Sequence, residues 1–168
     1  MNYKEYQQIV IKSEKGSLET YPKILHAVMG MNGEAGECID LIKKTIFQGH
    51  PLEENHILSE LGDVCWYTML FITELDIDPK YIFEYTNTLR EKDTNMSPQI
   101  EAIQHYLELN YYCGKCGDMY RLYSECTPKM SILSTIREVI YCIERIADTF
   151  NKTIEDIFQI NYDKIKKR

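Results

Sequence analysis

The sequence predicts an all-α fold, and three observations carry that expectation. All five prolines, Pro22, Pro51, Pro79, Pro98 and Pro128, stand where a helix should begin. Proline suits a first turn because its missing N–H would have no partner there. Apolar residues recur at helical spacing, as in Val64, Tyr67, Leu70, Phe71 and Leu75, and again in Ile136, Val139, Ile140, Ile143, Ile146 and Ala147. No strand-like alternation of apolar and polar residues competes with that period.

The elements follow in chain order. Helices are expected near residues 3–15, 22–47, 53–75, 79–92, 98–124, 128–150 and 153–167. Gly16 ends the first and Gly49 the second, with Pro51 just beyond. Asp78-Pro79, Ser97-Pro98 and Thr127-Pro128 each set a good N-cap residue before a proline and open the fourth, fifth and sixth. Thr153 and Asp156 make a weak capping box for the seventh, with Asp where Glu is usual.

At 168 residues the chain is long enough for one good core or two small intertwined ones. It is 44% hydrophobic and 27% charged, the balance of a soluble globular protein. A net charge of −7 argues against a nucleic-acid surface, which needs a basic patch. It leaves a nucleotide open, because a metal site brings phosphate to an acidic protein. No apolar run approaches the roughly 20 residues that span a bilayer. The start, Met1-Asn2-Tyr3-Lys4-Glu5, lacks a signal peptide's apolar core. Cys38, Cys65, Cys113, Cys116, Cys126 and Cys142 sit mostly in helical apolar patterns, as reduced core residues of a cytoplasmic protein do. Cys113-Gly-Lys-Cys116 lacks the second pair that a zinc site wants, with only Cys126 and His105 near, so it reads as packing.

An internal repeat is visible. Residues 57–92 align without a gap on 132–167, so that Ile57, Leu58, Ser59, Val64, Ile82, Phe83 and Lys92 recur as Ile132, Leu133, Ser134, Val139, Ile157, Phe158 and Lys167. Upstream, Asn32, Gly36, Cys38 and Asp40 recur as Asn110, Gly114, Cys116 and Asp118. The expectation is a duplicated bundle forming one compact unit, with halves 1–95 and 96–168, the second degenerate.

Chemistry concentrates in the first half. Glu34-Ala-Gly-Glu37 and Glu60-Leu-Gly-Asp63 each put two acids three residues apart on one helix face. Two such helices packed antiparallel would aim four carboxylates at one spot. Clustered like charges repel and burial raises the cost, so the cluster calls for a cation, and hard divalent ions prefer oxygen. Mg²⁺ is the expected ion, with Mn²⁺ as a substitute. In the second half Glu34 aligns with Tyr112, Glu37 with Lys115 and Glu60 with Thr135; only Asp63 keeps an acid, as Glu138.

Several neighbours read two ways. Gly30, Gly33 and Gly36 mark either close helix packing or close approach of a ligand. Lys43 and Lys44 suit the negative end of a helix. Trp66 and Tyr67 suit a core or the wall of a base pocket. His26 is placed to face the pocket, whereas His50, His56 and His105 read as loop or surface residues. No Ser/His/Asp order or P-loop appears.

Gly33-Glu-Ala-Gly-Glu-Cys-Ile-Asp-Leu-Ile-Lys-Lys44 followed by Glu60-Leu-Gly-Asp-Val-Cys-Trp-Tyr67 resembles the MazG-like all-α nucleoside triphosphate pyrophosphohydrolases. That superfamily also holds dimeric dUTPases and phosphoribosyl-ATP pyrophosphatases. The resemblance is strong over about residues 22–92 and weaker over 98–168. It implies hydrolysis of a nucleoside triphosphate to the monophosphate and pyrophosphate, by water attacking the α-phosphorus. Glu34, Glu37, Glu60 and Asp63 would hold one or more Mg²⁺ ions, and Glu37 or Glu34 would accept the water's proton. Lys43 or Lys44 would contact phosphate and Trp66 would wall the base pocket.

The family often ends on Asn-x-x-Lys-Leu-x-x-Arg. Asn161, Lys164, Ile165 and Arg168 nearly match it, while Tyr85, Thr88, Leu89 and Lys92 do not. The resemblance thus implies a composite site, acids from one half and basic contacts from the other. Nucleotide-pool cleaning is the expected role. The alternatives are a dedicated dUTPase or dCTPase, a non-catalytic nucleotide-binding bundle, or a structural bundle with solvated acids. The partner would be a small nucleotide, with neither nucleic acid nor membrane, and the chain would stand alone or pair again as a homodimer.

Overall fold

Seven helices and no strand form among the residues that the computed structural model describes, 1–14, 19–84, 98–122 and 129–167. They are α1 (Tyr3–Ser13), α2 (Thr20–Gln48), α3 (Glu54–Glu74), α4 (Lys80–Phe83), α5 (Pro98–Leu122), α6 (Lys129–Asp148) and α7 (Ile154–Ile165). None is long and apolar enough to cross a membrane.

Local chemistry sets their ends. Asn2 and Glu5 close a capping box over the start of α1. That helix stops at Ser13, short of the expected residue 15, as the Ser13 hydroxyl turns back to donate to the Val10 carbonyl at 3.1 Å. Gly49 takes a left-handed φ of 73° and ends α2. Thr153 and Asp156 cap each other at the start of α7, the Asp156 carboxylate accepting from the Thr153 N–H at 2.9 Å. At α4 the Asp78 carboxylate accepts from the Lys80 N–H at 3.0 Å. The rest of that expected helix, residues 85–92, lies outside the described residues, as do Gly16, Cys126, Thr127 and Pro128.

The long helices pack in pairs: α2 on α3, α5 on α6, and α2 on α5. The α7 helix packs on α3, and α4 on α6, while α1 lies against α3 and α7. Their shared core includes Met31, Phe71, Phe158 and the isoleucines of α6. Each fully buried aliphatic side chain contributes roughly 1.5–3 kcal/mol. Tyr6 stacks on Phe158 with ring centroids 4.3 Å apart, which seats α1 on α7. Cys38, Cys65, Cys113, Cys116 and Cys142 are buried and form no disulfide. Burial pushes the Cys116 thiol up to about 12, and a thiol that holds its proton is unreactive.

The contact of α3 with α7 leaves no room for a side chain at Gly62. A Cβ on Gly62 would lie 2.9 Å from the Asn161 Cβ, so α3 and α7 approach at a distance that only glycine allows. That approach brings the C-terminal helix onto the turn carrying Glu60 and Asp63.

Candidate metal centre

Packing α2 antiparallel to α3 brings the two acid pairs together. Carboxylate oxygens of Glu34, Glu60 and Asp63 lie within 4.8 Å of one another. Glu60 is buried, Glu34 and Asp63 are half-buried, and Glu37 is exposed at the rim. Glu37 joins the cluster through Glu60 and His56, their ligand atoms also lying within 4.8 Å.

The electrostatics follow from that crowding. Glu34 is pushed up to about 7, first by burial and then by its hydrogen bond with Glu60, with the charges of Asp63, Glu60 and Glu37 adding to the effect. The side chain therefore keeps its proton to a higher pH than an ordinary carboxyl. A carboxyl in this state lacks compensating positive charge.

The C-terminal helix supplies part of that charge. Lys164 pairs with Asp63, and its ammonium lies 4.0 Å from Glu60 Oε2. Asn161 is fully buried and donates from Nδ2 to Asp63 Oδ1 at 2.7 Å. Tyr6 in turn donates its hydroxyl proton to Asn161 Oδ1 at 2.8 Å. The chain Tyr6–Asn161–Asp63 fixes which way the aspartate faces, because each polar atom in it has a defined partner. Arg168 lies outside the described residues.

The donor set fits a hard divalent cation. Mg²⁺ binds oxygens at about 2.1 Å, so its ligands sit about 3 Å apart when adjacent, and the three carboxylates, within 4.8 Å of one another, are near that spacing. Gly33 and Gly36 leave room beside them, as a Cβ at either would meet nothing within 4 Å. Gly30 differs, since a Cβ there would strike the Tyr67 ring at 2.4 Å. Of the two readings of these glycines, close packing holds at Gly30, and open space marks the two beside the acids.

Other singled-out residues sit as follows. Lys43 and Lys44 both pair with Asp40, at 2.5 and 2.6 Å, on the outward end of α2. Lys44 is held above its ordinary pKa by Asp40 first, with smaller contributions from Glu53 and Glu37. Trp66 donates from its indole nitrogen to Ser13 Oγ at 2.9 Å and packs edge-on against Tyr67 and His26, tying α3 to the end of α1. His26 is exposed rather than enclosed.

Two histidines add to the sequence reading, and one corrects it. His56 is a surface residue, as expected, in the first turn of α3, with Nε2 3.1 Å from Glu60 Oε1 and Nδ1 3.2 Å from Glu53 Oε2. Its four-residue spacing from Glu60 was the available signal, since such residues share a helix face. His105 is buried on α5, beside Glu108 and edge-on to Tyr141. With Cys142 it makes a separate mixed grouping within 4.8 Å. Tyr6 had no sequence signal as a partner of the site, because α1 stands outside the repeat.

Comparison with family models, curated proteins and solved structures finds no match for the chain.

Proposed function

We propose that the protein is a divalent-cation-dependent nucleoside triphosphate pyrophosphohydrolase of the MazG-like type, releasing a nucleoside monophosphate and pyrophosphate. The observation that carries this reading is the meeting of Glu34, Glu60 and Asp63 on two helices with Asn161 and Lys164 on a third. The family resemblance supplies the substrate class and the helical pairing supports the duplicated frame. Under the sequence repeat α3 corresponds to α6 and α4 to the start of α7, and the contacts α3–α7 and α4–α6 are then images of each other. Halves 1–95 and 96–168 would thus be two copies of one bundle that exchange their last helices, forming a pseudo-dimer.

Glu34, Glu37, Glu60 and Asp63 would hold the cation, Mg²⁺ in the first instance and Mn²⁺ as a substitute. Such an ion neutralises phosphate oxygens and acidifies water. The chain's own groups do the rest. Glu34, with a proton affinity near neutrality, is suited to take a proton from the attacking water. Asn161 holds Asp63 in one orientation. Lys164 can leave Asp63 for a phosphate oxygen, since its side chain is partly exposed and flexible. Lys43 and Lys44 could do the same from the α2 end once released from Asp40. Trp66 stands one turn past Asp63, where a base would meet its ring.

The test is product analysis with a panel of ribo- and deoxynucleoside triphosphates at millimolar Mg²⁺ or Mn²⁺. Pyrophosphate release with at least one substrate is expected, with Glu37→Gln folded and inactive. Lys164→Ala should raise KM. No cleavage of any triphosphate with either ion removes the hydrolase reading. Lys164 already answering two carboxylates favours one second reading, a nucleotide-binding bundle without turnover. Tight binding with no product would select it.

A further inference from the structure

The geometry points to a second cation position, bounded by Glu37, Glu60 and the imidazole Nε2 of His56, beside the all-oxygen position of Glu34, Glu60 and Asp63. This inference rests on the acids being a cation site, as proposed above, and not on turnover.

Glu60 belongs to both groupings. Its Oε1 lies 3.1 Å from His56 Nε2, and its Oε2 faces Lys164 on the other side at 4.0 Å. A carboxylate so arranged can bridge two ions. It is buried, so its direction is fixed by packing.

His56 is prepared for a ligand role by its other nitrogen. The ring bridges two carboxylates, Nδ1 3.2 Å from Glu53 Oε2 and Nε2 3.1 Å from Glu60 Oε1; with a proton on Nδ1 held by Glu53, Nε2 is the nitrogen that can exchange a proton for a cation between Glu37 and Glu60. Metal-binding histidines are oriented in this way, with a carboxylate behind the ring. Glu53 is then a positioning residue rather than a ligand.

The position is also reachable. His56 and Glu37 are exposed, and a groove of about 600 Å³ lined by Leu52, Glu53, Glu54, Asn55 and His56 opens beside the ring. A Cβ on Gly36, next to Glu37, would meet nothing within 4 Å. A hydrated ion can therefore enter from the α3 start without displacing packed side chains.

The nitrogen donor sets the chemistry. Mg²⁺ favours oxygen, while Mn²⁺, Co²⁺ and later first-row ions accept imidazole more readily. The position at Asp63 should thus take Mg²⁺ or Mn²⁺, and the position at His56 should prefer the transition metal.

The test is Mn²⁺ titration of the full chain, without nucleotide, followed by electron paramagnetic resonance. Pulsed spectra should show coupling to a directly bound imidazole nitrogen. His56→Ala, at a surface position, should fold normally, lose that coupling and weaken one Mn²⁺ site about tenfold or more. Its Mg²⁺ affinity should change less than about threefold. Glu53→Gln should keep the coupling and weaken the same site by a smaller factor. Bound Mn²⁺ without nitrogen coupling, or coupling that survives His56→Ala, overturns the assignment. Nitrogen coupling in a protein that cleaves no triphosphate keeps this site and removes the hydrolase, whereas cleavage without coupling does the reverse.

Discussion

Glu60 and Thr135 occupy equivalent turns of α3 and α6 under the sequence repeat, and both are buried, 6% and 2% exposed. Thr135 needs little from its surroundings. Its hydroxyl bonds the Ser131 carbonyl of its own helix at 3.0 Å. At the position of Glu37 stands Lys115, whose ammonium lies 5.9 Å from the Tyr111 ring centre and 6.0 Å from that of Tyr112. Tyr112 itself replaces Glu34, and Ser131 replaces His56. One corner is thus closed by hydroxyls and rings, the other by carboxylates. The lesson is that closing a corner of this bundle does not require acids. Burying a carboxylate costs several kcal/mol unless it is paired. His56 and Lys164 answer that charge in part, at 3.1 and 4.0 Å, and the proposed cation would answer the rest.

Converting one corner toward the other is the sharpest way to break this comparison. Glu60→Thr should cut cation-dependent turnover by about 10³-fold or more, since Glu60 is common to both cation groupings. The melting temperature of the cation-free protein should hold or rise, because a buried charge is gone. A marked fall in that temperature would show that Glu60 serves the fold, and the contrast with Thr135 would lose its meaning.

A second contrast lies in how close α7 comes to α3 and α4 to α6. Gly62 corresponds to Arg137, whose Nε donates to the Tyr81 carbonyl at 2.8 Å, so the α6 side accommodates a long side chain. The α3 side admits none, with Asn161 against the Gly62 backbone. Gly62→Ala should lower stability by about 1–3 kcal/mol in denaturant titration, the usual cost of overpacking. It should also raise KM more than it lowers kcat, because the displaced helix carries Lys164. Unchanged stability and KM would mean that the tight approach has no part in positioning α7.

These contrasts also mark what the sequence could reveal. The helices were legible because their punctuation is local: Pro22, Gly49, Asp78 and Thr153 act within a turn or two of themselves. The convergence of Glu34, Glu60 and Asp63 was legible because adjacent antiparallel helices with apolar faces have few ways to pack. Partners from distant helices were harder to read. Tyr6 meets Asn161 across 155 positions, and periodicity tells which face of α1 is buried but not what covers it. His105 was read as a loop or surface residue but is buried, because Tyr141, which packs on it, comes from the next helix. His56 was missed for a different reason, as its place in the expected helix 53–75 was clear but its four-residue spacing from Glu60 was not used.

The smallest effect tests the charge difference between the corners directly. Glu34 titrates at about 7 in the folded chain against an ordinary value of 4.5, and its counterpart Tyr112 carries no carboxylate. Below 4.5 the group is protonated whether the chain is folded or not. Between 4.5 and about 7 the folded chain keeps a proton that the unfolded chain has lost. The stabilisation tied to that proton is fully present at low pH and is lost as pH rises through about 7. Asp40, held down at about 2 by Lys43 and Lys44, is ionised throughout this window, and Asp78 and Asp156 are also shifted downward. Cation-free protein should therefore melt at a slightly lower temperature at pH 7.5 than at pH 5, a modest change because Glu34 is only half-buried. Glu34→Gln should flatten that slope. Saturating Mg²⁺ should reverse it, because the ion competes with the proton and binds better as pH rises. A slope that Glu34→Gln leaves unaltered would place the titrating group elsewhere, and the acid corner would then differ from its counterpart in shape alone.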